Sequence, residues 1–257
     1  MIPKIIHFCW LSDDPYPDLI RMCINSWSKK MPDYEIRKWD MTNFDINSVR
    51  FVKEACDRKK WAFAADYIRL YALYYHGGIY LDSDVFVKKN FDAFLNNECF
   101  SSVEFIEKCY NESLSLGIID KEGNVFSENI CITGIAIQAA IIGSVKGNKY
   151  IHECMAHYEK EVFIMENGTE LNTKYVLPNV MAFIAKNFGF KYCDKEQMLQ
   201  GGVKIYPSVY FAGYPNMETK SAYAIHFCCG SWRTISFIIK IKQIIRKFLF
   251  IMQKGDK

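Results

Sequence analysis

Several common signatures are missing from this chain. It has no Gly-x-x-x-x-Gly-Lys-Ser/Thr phosphate loop and no Gly-x-Gly-x-x-Gly turn, which argues against an ATPase or a dinucleotide-dependent dehydrogenase. Ten cysteines lie between Cys9 and Cys229, yet none forms a Cys-x-x-Cys pair. Several sit inside apolar runs, such as Cys9 in "IIHFCW" and Cys131 in "NICITG", where free cysteine behaves as a small hydrophobe. A reduced, cytoplasmic protein is therefore expected rather than a disulfide scaffold. Charge excess is also lacking: 32 basic against 29 acidic residues leave a net charge of +3, too little for a protein whose work is to hold nucleic acid. No apolar run is long enough to span a bilayer, and "MIPKIIHFCWLSDDP" lacks both the apolar length and the small-residue cleavage site of a signal peptide. Repeats, low-complexity tracts and an obvious linker are absent too.

What remains is a chain of 257 residues, 50% hydrophobic and 16% aromatic, enough for a sizeable core in one domain. Residues 4–10 read as a buried strand that stops at the turn cluster "LSDDPYP". Asp18 is a candidate cap for the helix "LIRMCINSWSKK", and residues 34–40 alternate as a second strand. Helical patterns at 48–58 and 60–76 precede Gly77, a candidate left-handed stop, and "IYL" resumes as a strand. Such alternation predicts parallel βαβ units and an α/β class. Further on, "ECFSSVEF" predicts a strand, residues 118–129 a loop or hairpin, and 130–144 one buried strand with a turn. Helices are predicted near 148–160 and 177–189, and a strand over 203–211.

The helical stretch "KWAFAADYIRLYALYYHGG" is apolar almost all the way round, which predicts burial. Asp66 and Arg69 break that pattern at i,i+3 spacing, either as an internal ion pair or as ligand-binding groups. The next strand ends in "LDSD". Ligands of open α/β sheets bind beyond the carboxyl ends of strands, so Asp66, Arg69, Asp82 and Asp84 are candidates for one site. Paired carboxylates there suit magnesium or manganese, with a substrate's phosphates completing the shell. An Asp-x-Asp triplet alone is weak evidence; its setting behind a buried helix and a double glycine is what makes it informative. His7, in mid-strand, reads as structural.

The stretch "WAFAADYIRLYALYYHGGIYLDSDV" resembles the sugar-binding DxD region of family-32 glycosyltransferases, which include bacterial capsular-polysaccharide and lipopolysaccharide transferases and fungal initiating α-1,6-mannosyltransferases. "IPKIIHFCWLSD" is similar to that family's opening strand, and "AIHFCCGSW" to its closing His-x-x-x-Ser-Trp segment. The resemblance implies a single Rossmann-like domain of GT-A type over residues 1–232, with a mixed, mainly parallel sheet, and a retaining, metal-dependent transfer of a hexose from a nucleotide sugar, a UDP-sugar first among them. On the matching positions it implies Trp10 beside the donor base, and Asp66 and Arg69 on the donor sugar. Tyr80 and Asp82 would lie on the donor or ribose side, and Ser231 and Trp232 on the diphosphate. Asp84 and His226 would be direct metal ligands, with Asp82 reaching the metal through water. An imidazole among oxygen ligands tilts the metal from magnesium towards manganese. Asn179 falls in a stretch that lines the family's acceptor side. Phe227, Cys228 and Cys229 depart from the family's usual closing residues; adjacent cysteines cannot easily serve one soft-metal site.

Residues 233–257 differ from the rest. Ile238, Ile241, Ile245, Phe248 and Met252 line one helical face, while Lys240, Lys242, Arg246 and Lys247 occupy others. A basic amphipathic helix lying in the membrane interface is the expectation, against one that packs on the domain or a second subunit. With the resemblance this suggests a lipid-linked or surface-glycan acceptor at the inner face of the cytoplasmic membrane. The alternatives are a glycoside hydrolase using Asp82 and Asp84, two apart on an extended segment and so on one face, as acid and base, and a non-catalytic membrane-associated sugar-binding protein.

Overall fold

The computed structural model describes residues 1–126, 131–173, 176–212 and 220–229. Ser231, Trp232 and the amphipathic segment 233–257 lie outside the described residues.

In chain order the first elements are β1 (Ile5–Cys9), α1 (Asp18–Lys30), β2 (Glu35–Trp39), α2 (Arg50–Asp57), α3 (Trp61–His76), β3 (Gly78–Leu81) and β4 (Val85–Val87). Then come β5 (Cys99–Phe105), α4 (Glu107–Ser115), β6 (Ile135–Ile137), β7 (Ile141–Ser144), α5 (Lys149–Glu159) and α6 (Leu177–Ala185). Four short strands close the described chain: β8 (Gln197–Leu199), β9 (Val203–Tyr206), β10 (Phe211–Ala212) and β11 (Ala224–His226). The main sheet runs β2-β1-β3-β7-β5-β9-β8, with β6 paired to the far end of β5. β1, β2, β3, β5 and β9 share one direction; β6, β7 and β8 run against it. β10, β11 and β4 form a separate small sheet.

The helices follow from the parallel pairs. Joining β1 to β2, and β2 to β3, in the same direction requires crossovers, which α1 and the α2–α3 pair supply. Apolar side chains therefore leave both faces of the sheet. Within β3, Tyr80 joins the core that contains Ile68, Ile151 and Val180 of α3, α5 and α6. Its neighbours Ile79 and Leu81 point the other way, to Phe8, Trp27 of α1 and Val85 of β4. All four residues of β3 are buried as a result, as expected of a strand covered on both sides.

The structure corrects the sequence reading in four places. Pro17, not Asp18, is the N-cap of α1; Asp18 lies in the first turn and pairs with Arg21 at 2.5 Å. Residues 130–144 hold two strands rather than one, because the register against β5 slips between them: Val103 faces Ile137 but Phe100 faces Gly143. Ser101 Oγ spans the slip, donating to Gln138 O and Ile141 O, and Ala139 O accepts from Arg69. Residues 203–211 are broken at Pro207, which cannot donate to a ladder, and the chain then enters the small sheet. Finally, Asp82-Ser83-Asp84 is not extended: the Val85 N–H donates to Asp82 O at 2.9 Å, closing a tight turn between β3 and β4.

Gly77 ends α3 as the pattern predicts, with φ +66° and its N–H on Leu73 O. Gly78 has φ +111°, and a Cβ there would lie 2.7 Å from Ile5 O and 3.0 Å from His7 Nε2. Only glycine fits this close approach of the first residue of β3 to the neighbouring β1.

Candidate metal and donor site

The turn after β3 delivers two carboxylates, and the small sheet delivers a histidine to meet them. β4 pairs antiparallel with β11 in a register that sets His226 opposite Val85, next to Asp84. His226 Nε2 lies 3.2 Å from Asp84 Oδ1 and 3.8 Å from Asp82 Oδ2. Ligand atoms of Asp82, Asp84 and His226 all fall within 4.8 Å of one another, the one such cluster among the described residues.

Each carboxylate has one oxygen engaged by the protein and one facing the cluster. Asp84 Oδ2 accepts the Cys229 N–H at 2.7 Å, leaving Oδ1 towards His226. Asp82 Oδ1 accepts from Tyr80 Oη at 3.1 Å and pairs with the Arg69 guanidinium, Nη1 at 3.3 Å, leaving Oδ2 towards His226. Two carboxylate oxygens and one imidazole nitrogen, held from behind and converging in front, fit a divalent cation that takes oxygen and nitrogen ligands. Burial alone would lower the His226 pKa, but Cys228 and Asp84 raise it well above the usual value. Burial likewise works to raise Asp84, and the His226 charge with the Cys229 contacts overrides it, holding the carboxyl well below the usual range.

Behind the carboxylates lies a buried layer. Arg69 is 4% exposed and contacts Asp66 Oδ1 at 3.0 Å, Asp82 Oδ1 at 3.3 Å, Ala139 O at 2.7 Å and Ala65 O at 3.2 Å. Its guanidinium stacks over the Tyr80 ring, 4.6 Å from the centroid. Asp66 reaches further, accepting the Leu177 N–H at 3.3 Å, one of the donors that a helix start leaves without an intrahelical partner. Burial pushes the Asp66 carboxyl up to about 7 despite Arg69 beside it. The i,i+3 pair seen in the sequence is thus real, and it links α3 to Asp82 on one side and to α6 on the other.

The structure brings together Asp66, Arg69, Tyr80, Asp82, Asp84 and His226. Tyr80 is nearly inaccessible, and its hydroxyl supports Asp82. Trp10 stands apart, just beyond β1, with Nε1 on Asp14 O and its ring edge-on to Tyr16 at 4.9 Å. With Asp13, Asp14, Tyr16, Lys38 and Thr42 it lines a cavity of about 470 Å³. Asn179 lies in the first turn of α6, two residues from the Leu177 amide that Asp66 holds. Two features were missed in the sequence. One is the Cys229 amide on Asp84; the other is the Cys228 Sγ, 3.3 Å from His226 Nδ1. Neither leaves a sequence signal, since one is a backbone group and the other depends on a left-handed residue at Cys228, φ +47°.

Comparison with known proteins agrees with this arrangement in part of the chain. Residues 17–101, about a third of it, match the family model described as "Glycosyltransferase sugar-binding region containing DXD motif". That span holds Asp66, Arg69, Asp82 and Asp84. A protein of Acanthamoeba polyphaga mimivirus, described as "Uncharacterized glycosyltransferase L373", is 31% identical over 130 residues, which cover 48% of this chain and 51% of that one. The chain thus matches about half the length of this curated relative. Among solved structures, "PaToxG Glycosyltransferase" aligns with TM-score 0.49 at 17% identity, over 72% of this chain and 69% of that one. The galactosyltransferase LgtC, in complex with donor and acceptor sugar analogs, aligns with TM-score 0.48 at 15% identity, over 87% of both chains. Likenesses at that level carry no weight for function.

Proposed function

We propose that the chain is a metal-dependent glycosyltransferase of GT-A type. It would move a hexose from a nucleotide-diphosphate sugar, UDP being the favoured nucleotide, to a glycan acceptor with retention of configuration. The observation that carries this reading is the convergence of Asp82, Asp84 and His226 at the DxD turn, each carboxylate holding one oxygen free towards the imidazole. Asp84 and His226 would hold a divalent cation, manganese before magnesium, with Asp82 alongside. Such a cation supplies Lewis-acid neutralisation of the charge that gathers on a diphosphate leaving group.

The remaining work falls to the chain's own side chains. Asp82, whose side chain is 25% exposed against 11% for Asp84, is the carboxylate open to a donor. Arg69 and Tyr80 hold it in place from behind, the kind of preorganisation that keeps a charged group from reorienting as a substrate arrives. Asp66, Trp10 and the segment with Ser231 and Trp232 are assigned by sequence pattern to the donor sugar, base and diphosphate. Retention would follow a front-face route in which the leaving phosphate helps take the acceptor's proton; an isolable glycosyl–enzyme adduct would refute it.

The geometry disfavours the hydrolase alternative. A hydrolase needs its acid and base on either side of a scissile bond, whereas Asp82 and Asp84 both face one imidazole, with ligand atoms of the three within 4.8 Å of one another. For the acceptor, the basic apolar pattern of 233–257 supports a lipid-linked surface glycan reached at the cytoplasmic membrane face, as in capsule or lipopolysaccharide assembly. No helix among the described residues is long and apolar enough to cross a membrane.

A thermal-shift screen of UDP-galactose, UDP-glucose, UDP-N-acetylglucosamine and GDP-mannose, with and without Mn2+, tests the reading. A donor at a hundred times its Kd adds about 2.7 kcal/mol, roughly 5–10 °C for a domain of this size. One donor should give that shift only when Mn2+ is present. If none does, the donor-site reading fails.

A further inference from the structure

The four residues that end the described chain wrap around Asp84. The Phe227 N–H donates to Asp84 O at 3.1 Å and the Cys229 N–H to its Oδ2 at 2.7 Å. Between them Cys228 adopts φ +47°, one of two non-glycine residues in the left-handed region among those described. That conformation is costly for a side chain bearing a Cβ, so something in the surroundings holds it there. It turns the Cys228 Sγ back onto its own neighbour, 3.3 Å from His226 Nδ1 and 3.7 Å from His226 O.

The two sulfur contacts are complementary. A thiol has one hydrogen to donate and lone pairs to accept with. The carbonyl oxygen of His226 can only accept, so it offers the S–H a place at 3.7 Å that leaves the sulfur lone pairs for an N–H on Nδ1. A neutral imidazole with its hydrogen on Nδ1 presents a bare lone pair at Nε2, the nitrogen that faces Asp82 Oδ2 and Asp84 Oδ1. A metal-bound histidine commonly has its other nitrogen held by an acceptor that fixes tautomer and ring orientation. Here the available acceptor is sulfur.

We infer that Cys228 is a positioning residue for the cation site: its Sγ accepts the His226 Nδ1–H and aims Nε2 at the cation between Asp82 and Asp84. This rests on the metal reading of the cluster given above, and it adds a residue that the DxD region does not contain. In this role Cys228 acts on the cation through His226. The sequence "HFCCGSW" then has a division of labour: Cys229 contributes its backbone N–H to Asp84, and Cys228 its side chain to His226.

The test compares Cys228→Ala with Cys228→Ser. Serine keeps a hydroxyl oxygen that can accept from Nδ1, whereas alanine keeps the Cβ and its backbone demands but no acceptor. Mn2+ affinity is read by electron paramagnetic resonance of the free ion, and the His226 tautomer by nitrogen-15 NMR of the magnesium-loaded protein. Alanine should weaken Mn2+ binding about 10-fold or more, the range for losing such an outer partner, and move the Nδ1 signal. Serine should stay within about 3-fold of wild type, and both variants should melt near the wild-type temperature. Cys109→Ala, on α4 and away from the cluster, should bind Mn2+ as wild type does.

The inference is overturned if Cys228→Ala binds Mn2+ within twofold of wild type with its Nδ1 signal unmoved. It is equally overturned if serine loses affinity as completely as alanine, since the sulfur would then be doing something other than accepting a hydrogen bond. Failure of the wild type itself to bind Mn2+ removes the metal reading, and this inference with it. Binding that is intact in wild type and indifferent to residue 228 removes the inference alone.

Discussion

Lowering the pH should remove stability that one buried ring, His7, contributes, seen against a variant that lacks this titration. His7 is inaccessible in mid-β1, between Trp39 of β2 and the glycine turn before β3. The Trp39 Nε1–H can only donate, at 3.0 Å to His7 Nδ1, so the ring hydrogen sits on Nε2 and is donated to Gly77 O at 2.7 Å. A second proton would put an N–H on Nδ1 directly against the Trp39 N–H. Burial drives the pKa down to about 4 from an ordinary 6.5, with Arg37 adding to it and the Gly77 carbonyl opposing. The folded state therefore binds this proton less readily than the unfolded chain. The contribution is complete above pH 6.5 and is lost as pH falls towards 4. A difference of about 2.5 pKa units corresponds to about 3 kcal/mol. Urea unfolding followed by circular dichroism, at pH 7, 6, 5 and 4, should show wild type losing that much relative to His7→Gln. Glutamine does not titrate and keeps an amide hydrogen for Gly77. Parallel pH profiles for the two proteins would refute the reasoning. The same glycine turn leads into β3 and hence to Asp82 and Asp84, so Mn2+ affinity should decline over the same acid range in wild type.

Two further substitutions probe the site and its support. Asp84→Asn keeps an oxygen for the Cys229 amide but removes the charge that faces His226; it should abolish Mn2+ binding and metal-dependent turnover while leaving the circular dichroism spectrum unchanged, and wild-type turnover would sink the assignment of Asp84 as a ligand. Gly78→Ala places a Cβ 2.7 Å from Ile5 O at φ +111°, and should cost about 2 kcal/mol or more in urea unfolding; a change under about 0.5 kcal/mol would show that the start of β3 is not packed tightly on β1.

Much of the site could be read along the chain because its parts are local there. Asp66 and Arg69 are three residues apart on one helix, and Asp82 and Asp84 two apart after a strand, so period and position alone bring each pair together. The strand, the double glycine and the buried helix before them were equally legible, being defined by hydrophobic runs and a conformation that suits glycine. Prediction failed where a local pattern was overruled by distant partners. Residues 130–144 look like one apolar strand, yet the register against β5 slips between β6 and β7, and the Ala139 carbonyl within the slip serves Arg69. The triplet itself looks extended but turns, because β4 leaves the main sheet to pair with β11.

By itself, then, the sequence determined the α/β class, the buried helix with its ion pair, the glycine turn and the two carboxylates beyond β3, since all of these depend on neighbours within a few residues. Tertiary structure alone decided which oxygen of each carboxylate faces the cluster, the β4–β11 register by which His226, expected there from the family resemblance, reaches Asp84, and that Cys228 turns back onto His226. Those depend on strands 140 residues apart meeting in one sheet, and on a left-handed backbone that nothing in the residue type of Cys228 announces. A site made from opposite ends of a chain acquires its direction only when the ends meet.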